Sequence, residues 1–157
     1  MKLDRIDRKI LDVLQDDGRI ANADLADKIG LSASACLRRM RALEDAGIID
    51  KYVALLDQRK LGRRMDIFVE ISLVGQSNEV LENFERAVTR SSEIMECFLM
   101  AGDADYILRV TAADPNDFER IHREQLARLP GVLRMKSSFA IRPIVRRTAF
   151  PMKEAND

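Results

Sequence analysis

The sequence is short of the residue types that most catalytic chemistry draws on. Its 157 residues include one histidine, His122, and two cysteines, Cys36 and Cys97. Metal centres and activated nucleophiles need several such groups at fixed spacing, and neither set emerges, so no metal, no cofactor and no catalytic residues are expected. His122 follows an inward Ile121 on an expected helix and reads as a surface or interface residue, with pH sensing as the other reading. Cys36 is explained by a helix core and Cys97 by a strand position. Two cysteines without an export signal suggest a reducing cytoplasm. No apolar run approaches the ~18 residues of a membrane span, and the N-terminus reads as polar helix rather than leader peptide. A glycine-rich phosphate cradle is also missing. Finally, the chain lacks net charge, with 26 Lys plus Arg against 26 Asp plus Glu. That balance argues against a uniformly basic nucleic-acid coat and against an acidic disordered tail.

What is present is a globular composition, 46% hydrophobic and 33% charged, in a chain long enough to bury roughly 70% of its unfolded surface. One full domain or two small ones fit. The zero charge hides a pattern. Residues 28–43 hold Lys28, Arg38, Arg39 and Arg41 with no acid, and residues 51–64 hold five basic groups against Asp57 alone. Residues 65–133 carry six basic against thirteen acidic groups, and Arg134–Lys153 carries six basic groups and no acid. Segregated charge creates local fields that the total conceals, although solvated faces can look the same.

Periodicity divides the chain. Leu3, Ile6, Ile10, Val13 and Leu14 recur at helical spacing over 4–17, with Gly18 as a stop. A second helix fits 22–29, with Asn22 as the expected N-cap and Leu25, Ala26 and Ile29 inward. Gly30 supplies a turn, Ser32 caps a third helix to about Ala46, and Gly47 ends it. After Asp50 the period drops to 2. Tyr52–Leu56 reads as a strand, and Asp57–Met65 as a polar, basic connector. Residues 66–74 alternate as a strand, 78–91 as a helix, and Ile94–Ala101 and Asp105–Ala112 as strands joined around Gly102-Asp103. Asp114-Pro115-Asn116 opens a helix carrying Phe118, Ile121, Leu126 and Leu129 inward. Pro130-Gly131 stops it before a last strand, Val132–Ile141, and Pro143 makes a central tail strand unfavourable. The order βαββαβ is the split-βαβ, ferredoxin-like pattern: an antiparallel sheet with two helices on one face.

Asn22 to Ala46 carries helix-turn-helix spacing. Ala26 is small where two helices cross, Gly30 permits the turn, and Leu25, Ile29, Leu31 and Cys36 share a core. At about 100° per residue, Cys36, Met40, Leu43 and Gly47 fall on one stripe of the third helix. Ser34, Arg38, Arg41 and Asp45 lie opposite, with Arg39 on the flank. Such a face places arginines where they reach guanine edges or phosphates; an ordinary three-helix bundle with a solvated arginine face is the alternative. Ser32, Ser34, Arg38, Arg39 and Arg41 are the candidate DNA contacts.

LDRIDRKILDVLQDDGRIANADLADKIGLS followed by RRMRALEDAGII closely resembles the opening of the leucine-responsive regulatory protein/asparagine regulator (Lrp/AsnC) family of transcription regulators. MAGDADYILRV and LARLPGVLRMKSS resemble that family's effector-binding half, so the likeness spans about residues 3–150. It implies an α+β chain with an N-terminal winged helix-turn-helix domain at 1–50, a strand linker at 51–64 and a ferredoxin-like effector-binding and oligomerisation domain at 65–157. It also implies a homodimer assembling to octamers, with amino acids bound between dimers. A free amino acid needs donors for its carboxylate and a counter-charge for its ammonium. The loop Gly102-Asp103-Ala104-Asp105-Tyr106 offers backbone N–H groups, Asp103 or Asp105 as counter-charge, and Tyr106 as an apolar wall with a polar tip. Gly-Asp is equally common turn chemistry, but the loop is similar to the family's effector loop at Gly102, Asp103, Asp105 and Tyr106. Ala104 stands where relatives are often bulkier, and Ser137 where the family often has a threonine facing the same site.

The expectation is a sequence-specific, DNA-binding transcription regulator in the cytoplasm, nucleoid-associated, that responds to an amino-acid effector. Its dimer would meet double-stranded DNA at an imperfect palindrome, with recognition helices about 34 Å apart. Two other readings remain: an architectural DNA-wrapping protein, and an enzyme similar to the sirohaem decarboxylases, which one histidine disfavours. The basic tail reads as a subunit-interface or solvated strand edge, or else as a second phosphate contact.

Overall fold

The computed structural model describes residues 1–152, so Lys153 of the basic tail lies outside the described residues. They form two compact units, Met1–Leu55 with the tail from Ile144 onward, and Leu56–Pro143.

The first unit is built on three helices: α1 (Arg5–Asp16), α2 (Asn22–Ile29) and α3 (Ala33–Asp45). Asp4 opens α1 with a capping box. Its carboxylate accepts from the Ile6 and Asp7 amides at 2.8 Å each, and the Asp7 carboxylate accepts from the Asp4 amide. The pair satisfies donors that a helix start leaves without partners. Asn22 does not cap α2. The cap is Ala21, without a side-chain bond, and the Asn22 side-chain amide instead donates to the Ala33 carbonyl at 2.9 Å, tying the starts of α2 and α3 together. Gly30, at φ 74°, is needed for the turn, since the Leu31 amide must reach back to the Ala26 carbonyl at 2.9 Å. Ser32 caps α3 by accepting from the Ala35 amide. Ile10, Leu25, Cys36 and Leu43 are fully buried between the helices, with Ala26 at the crossing. Each large one stabilises the unit by roughly 1.5–3 kcal/mol of transfer free energy. The unit contains no strand among the described residues, so Tyr52–Leu56 is exposed and without regular secondary structure. Its alternating apolar residues suit a strand, but a strand needs a ladder partner, and the unit supplies none.

The second unit runs β1 (Met65–Leu73), α4 (Asn78–Val88), β2 (Ile94–Leu99), β3 (Tyr106–Ala112), α5 (Pro115–Glu124), a 3-10 turn (Leu126–Arg128) and β4 (Val132–Phe139). The sheet is antiparallel throughout in the order β2-β3-β1-β4, the ferredoxin-like arrangement. One face packs Ile67, Val69, Ile71, Tyr106, Leu108 and Val110 against Phe84 and Val88 of α4 and Phe118 and Ile121 of α5. The opposite face carries Phe68, Ile107 and Phe98 on neighbouring strands, with Phe68 and Phe98 exposed. The helix expected to continue to Leu129 gives way at Gln125, and the tighter turn that follows keeps Leu126 and Leu129 in the core.

The basic connector is fixed at its far end. A turn closes from the Arg63 amide to the Gln58 carbonyl, and the Arg63 guanidinium lies 2.6 Å from Glu93 and 3.6 Å from Asp117. Glu93 is buried, and its contact with Arg63 is an ion pair without hydrogen-bond geometry.

Candidate DNA-binding and effector sites

The helix-turn-helix core fixes which side of α3 faces out. Cys36 and Leu43 are buried and Met40 is half-buried against α1 and α2, which leaves Ser34, Arg38, Arg41 and Asp45 exposed, as the wheel requires. Ser32 lies at the exposed start of the helix, 3.3 Å oxygen to oxygen from Ser34. Arg38 and Arg41 have no ion-pair partner among the described residues. The first turn of α3 carries no acid, so the positive end of its dipole is left open to a phosphate.

Arg39 belongs to a different structure. Its Nη1 lies 2.6 Å from the Asp7 carboxylate and 2.8 Å from that of Asp4, so the guanidinium closes the capping box of α1 onto α3. Those two carboxylates raise the Arg39 pKa further, chiefly by accepting its hydrogen bonds, Asp4 first and then Asp7. The Asp7 amide, above all, holds the Asp4 carboxyl below its ordinary value. Arg39 is thus tied up within the fold rather than presented with Arg38 and Arg41. Periodicity could not show this, because the partners lie more than thirty residues away; the Asp-x-x-Asp spacing at 4 and 7 was its only local signal.

The 100–105 loop divides the expected effector residues. Gly102 and Asp103 are exposed, and the amides of residues 101–104 make no hydrogen bond within the described chain. Gly102 does not need a positive φ, and a Cβ there would meet open space. Neither backbone strain nor packing therefore explains the glycine. Asp105 holds the loop to the sheet: its amide donates to the Ile71 carbonyl, and its carboxylate accepts from the Leu73 amide and the Gln76 side chain at 2.7 Å each. These bonds, the Leu73 amide first, lower its pKa. Gln76 was not expected in this role and carries no pattern in sequence.

Two expected residues lie elsewhere. Tyr106 is not an open wall: its side chain is 1% exposed, its ring stacks 4.6 Å from Phe84, and its hydroxyl donates to Glu85 at 2.7 Å. Burial first, then Glu85, drives the phenol pKa upward. The Asp105–Tyr106 step places one residue in the loop and the next in the helix-facing layer, because successive strand residues point to opposite faces. Ser137 is half-buried on β4 opposite Val69. β1 stands between it and β3, a separation of about 10 Å, so one chain does not bring it to the loop. His122 is exposed on α5, with its ring edge-on to Phe118. Among the described residues, no group of His, Cys, Asp and Glu could hold a metal ion, and no helix is long and apolar enough to cross a membrane.

Comparison with known proteins agrees with both halves. Residues 3–50 match the family model for a winged helix-turn-helix DNA-binding domain, and residues 66–150 match that for the Lrp/AsnC ligand-binding domain. The chain is 43% identical over 151 residues to the Bkd operon transcriptional regulator of Pseudomonas aeruginosa, covering 96% of this chain and 99% of that one. It is 46% identical over 130 residues to the leucine-responsive regulatory protein of Escherichia coli, covering 83% and 79%. A transcriptional regulator of Neisseria meningitidis, solved as its L-Met complex, superposes with a TM-score of 0.91 at 36% identity, over 96% of this chain and 97% of that one. An AsnC family regulator of Agrobacterium tumefaciens does so with a TM-score of 0.91 at 38% identity, over the same shares. With its helix-turn-helix at the start and its ligand-binding domain after it, the chain belongs to the Lrp/AsnC family of metabolite-responsive, DNA-binding transcription regulators.

Proposed function

We propose that this regulator reads an imperfectly palindromic operator through Ser32, Ser34, Arg38 and Arg41 of α3, and binds an amino acid at the Gly102–Asp105 loop. The observation that carries the first part is the exposed face of α3, whose two unpaired arginines suit guanine edges and phosphates. Arg39 takes no part in DNA contact in this reading; it orients α3 against α1.

The second part rests on the idle donors of the loop. The unbonded amides at 101–104, in a loop exposed from 101 to 103, suit a carboxylate. The Asp103 carboxylate is exposed and suits an ammonium, while Asp105 keeps the loop in place. Gly102 leaves room for the ligand backbone to approach. The Neisseria relative was solved with L-Met, which makes methionine one of the first ligands to test.

A homodimer is supported by what one chain leaves uncovered. Phe68, Ile107 and Phe98 lie on the open sheet face, and the unpaired Tyr52–Leu56 segment needs a ladder partner. In this reading dimers associate further, to octamers, around the effector loops, with Ser137 brought to the ligand from another chain. The whole works in the cytoplasm, on the nucleoid, with residues 1–50 as DNA-binding domain, 51–64 as linker and the remainder for sensing and assembly. The test is a screen of the twenty amino acids for a rise in melting temperature, followed by gel shift on operator DNA with each hit. A ligand at 100 times its Kd adds about 2.7 kcal/mol. A flat screen removes the effector assignment, and a gel shift indifferent to DNA sequence removes the operator assignment.

A further inference from the structure

The turn of the helix-turn-helix joins one end of α2 to α3. Gly30, Leu31 and Ser32 connect Ile29 to Ala33, and the Leu31 amide bonds back to the Ala26 carbonyl. Such a short turn holds two helices close, but the soft dihedrals of its residues leave the angle between them to other contacts. The far end of α2 carries a second link. Asn22, its first residue, donates from Nδ2 to the Ala33 carbonyl at 2.9 Å. The two links lie about 10 Å apart along α2, and both converge on the first turn of α3. Together they triangulate the crossing of the two helices.

The rest of the Asn22 side chain is poorly served. The residue is half-buried, yet its Oδ1 is closed to solvent and accepts no hydrogen bond among the described residues. Turning the amide over would set two oxygens against each other at Ala33 and strand the donors instead. A buried acceptor without a partner destabilises a fold by at least as much as one ordinary hydrogen bond stabilises it. Nor does Asn22 cap α2, since Ala21 takes that place. Stability therefore does not account for an asparagine here. What it supplies is the link to Ala33.

Ala33 stands between Ser32 and Ser34, at the end of a recognition helix that meets base edges. Arg39 holds the middle of α3 to α1 through Asp4 and Asp7, and the helix rises about 9 Å from Ala33 to Arg39. A tilt of about 10° around Arg39 would carry the start of α3 by about 1.5 Å, well beyond the ~0.5 Å within which a binding constellation has to be held. Attraction between a cation and a phosphate falls off gradually with distance and tolerates such a shift. Hydrogen bonds to a base edge do not.

We infer that Asn22 is a positioning residue for operator recognition: its bond to Ala33 sets the angle of α3, and through it the selectivity of DNA binding rather than the affinity for DNA in general. The inference rests on the reading of α3 as the helix that enters the operator. Two variants of the full chain test it. Asn22→Leu replaces the amide by an apolar group of similar size, and Asn22→Ala removes it without crowding. Ala33 is exposed, so water takes the place of the lost donor, and both variants are expected to melt within about 2 °C of wild type or above it. Gel shift at fixed salt compares a duplex selected by the wild-type protein from random sequence with a scrambled duplex of the same composition. In both variants affinity for the selected duplex should fall by about tenfold or more, while affinity for the scrambled one stays within about twofold. Retained selectivity, equal losses on both duplexes, or a loss accompanied by early melting overturns the inference. In the free protein, nitrogen relaxation dispersion should show new exchange at the Ser34 and Ala35 amides of both variants, with Leu25 and Leu43 as quiet as in wild type. A start of α3 as rigid as in wild type overturns it equally. A wild-type protein that selects no duplex removes the operator reading, and the relaxation measurement then decides by itself whether Asn22 sets the angle.

Discussion

Arginine 39 separates two accounts of the helix-turn-helix. As a DNA contact its loss would weaken operator binding and leave the fold alone. The structure assigns it instead to Asp7 and Asp4, at 2.6 and 2.8 Å. The Asp7 side chain is 4% exposed, and that of Arg39 27%. Arg39→Ala leaves Asp7 as a buried carboxylate whose remaining polar partner is the Asp4 amide. Removing one member of a fully buried pair costs about 3–5 kcal/mol. The partial exposure of Arg39 and the bond that Asp7 keeps reduce this to about 2–3 kcal/mol. In a chain of this length that is a fall of about 5–10 °C in melting temperature. Calorimetry at pH 7 reads it, and gel shift at fixed salt, well below the transition, reads the DNA side. Arg39→Ala is expected to melt early and still bind operator within about threefold of wild type, since its cation is already engaged by Asp4 and Asp7. Asp7→Ala combined with Arg39→Ala should destabilise by less than the two single losses together, as directly paired residues do. An Arg39→Ala protein that melts within about 2 °C of wild type and loses operator binding would refute this assignment.

The remaining predictions concern the other parts of the molecule. Arg38→Ala should leave the melting temperature unchanged and cost roughly 1–3 kcal/mol on a specific operator, seen by gel shift at fixed salt. Asp103→Ala should abolish the amino-acid-induced rise in melting temperature while the ligand-free protein stays as stable as wild type. Asp105→Ala should abolish it and also lower ligand-free stability, because the Leu73 amide and Gln76 lose their acceptor. Arg63→Ala should destabilise the sensing unit by about 2–4 kcal/mol in chemical denaturation, since Glu93 stays buried without its nearest cation. The carboxyls of Asp4, Asp105 and Asp117 all have folded pKa values below the ordinary 3.8, the largest cause in each case being a hydrogen bond from a backbone amide, of Asp7, Leu73 and Ala113 respectively. Their contribution is present above the unfolded value and is lost as pH falls through the depressed folded values. Denaturation midpoints should therefore hold from pH 7 to about 5 and decline below about pH 4, and a protein equally stable at pH 3 and pH 6 would contradict these hydrogen bonds.

The sequence alone determined whatever depends on neighbours along the chain. Amphipathic spacing, Gly30 and the Ser32 cap specified three helices and the outward face of α3, because a 3.6-residue period relates positions on one helix. Alternation in 66–74, 94–101, 105–112 and 132–141 specified four strands, and their order with the helices left the ferredoxin-like arrangement as the natural solution. Even the acidic sensing half and the basic α3 face were legible as composition. The tertiary structure decided which polar groups are already engaged. Arg39 and Arg38 are neighbours of the same type, yet Arg39 meets Asp4 and Asp7 from α1 while Arg38 meets none. Asp105 and Tyr106 look like two parts of one loop site, yet the carboxylate is held by Leu73 and Gln76 and the ring is buried on Phe84. Tyr52–Leu56 has the pattern of a strand and no partner in its unit, and the tail ends on Gln15, far back in the chain. A residue's period is written in its neighbours; its hydrogen-bond partners are set by chain segments that only folding brings together.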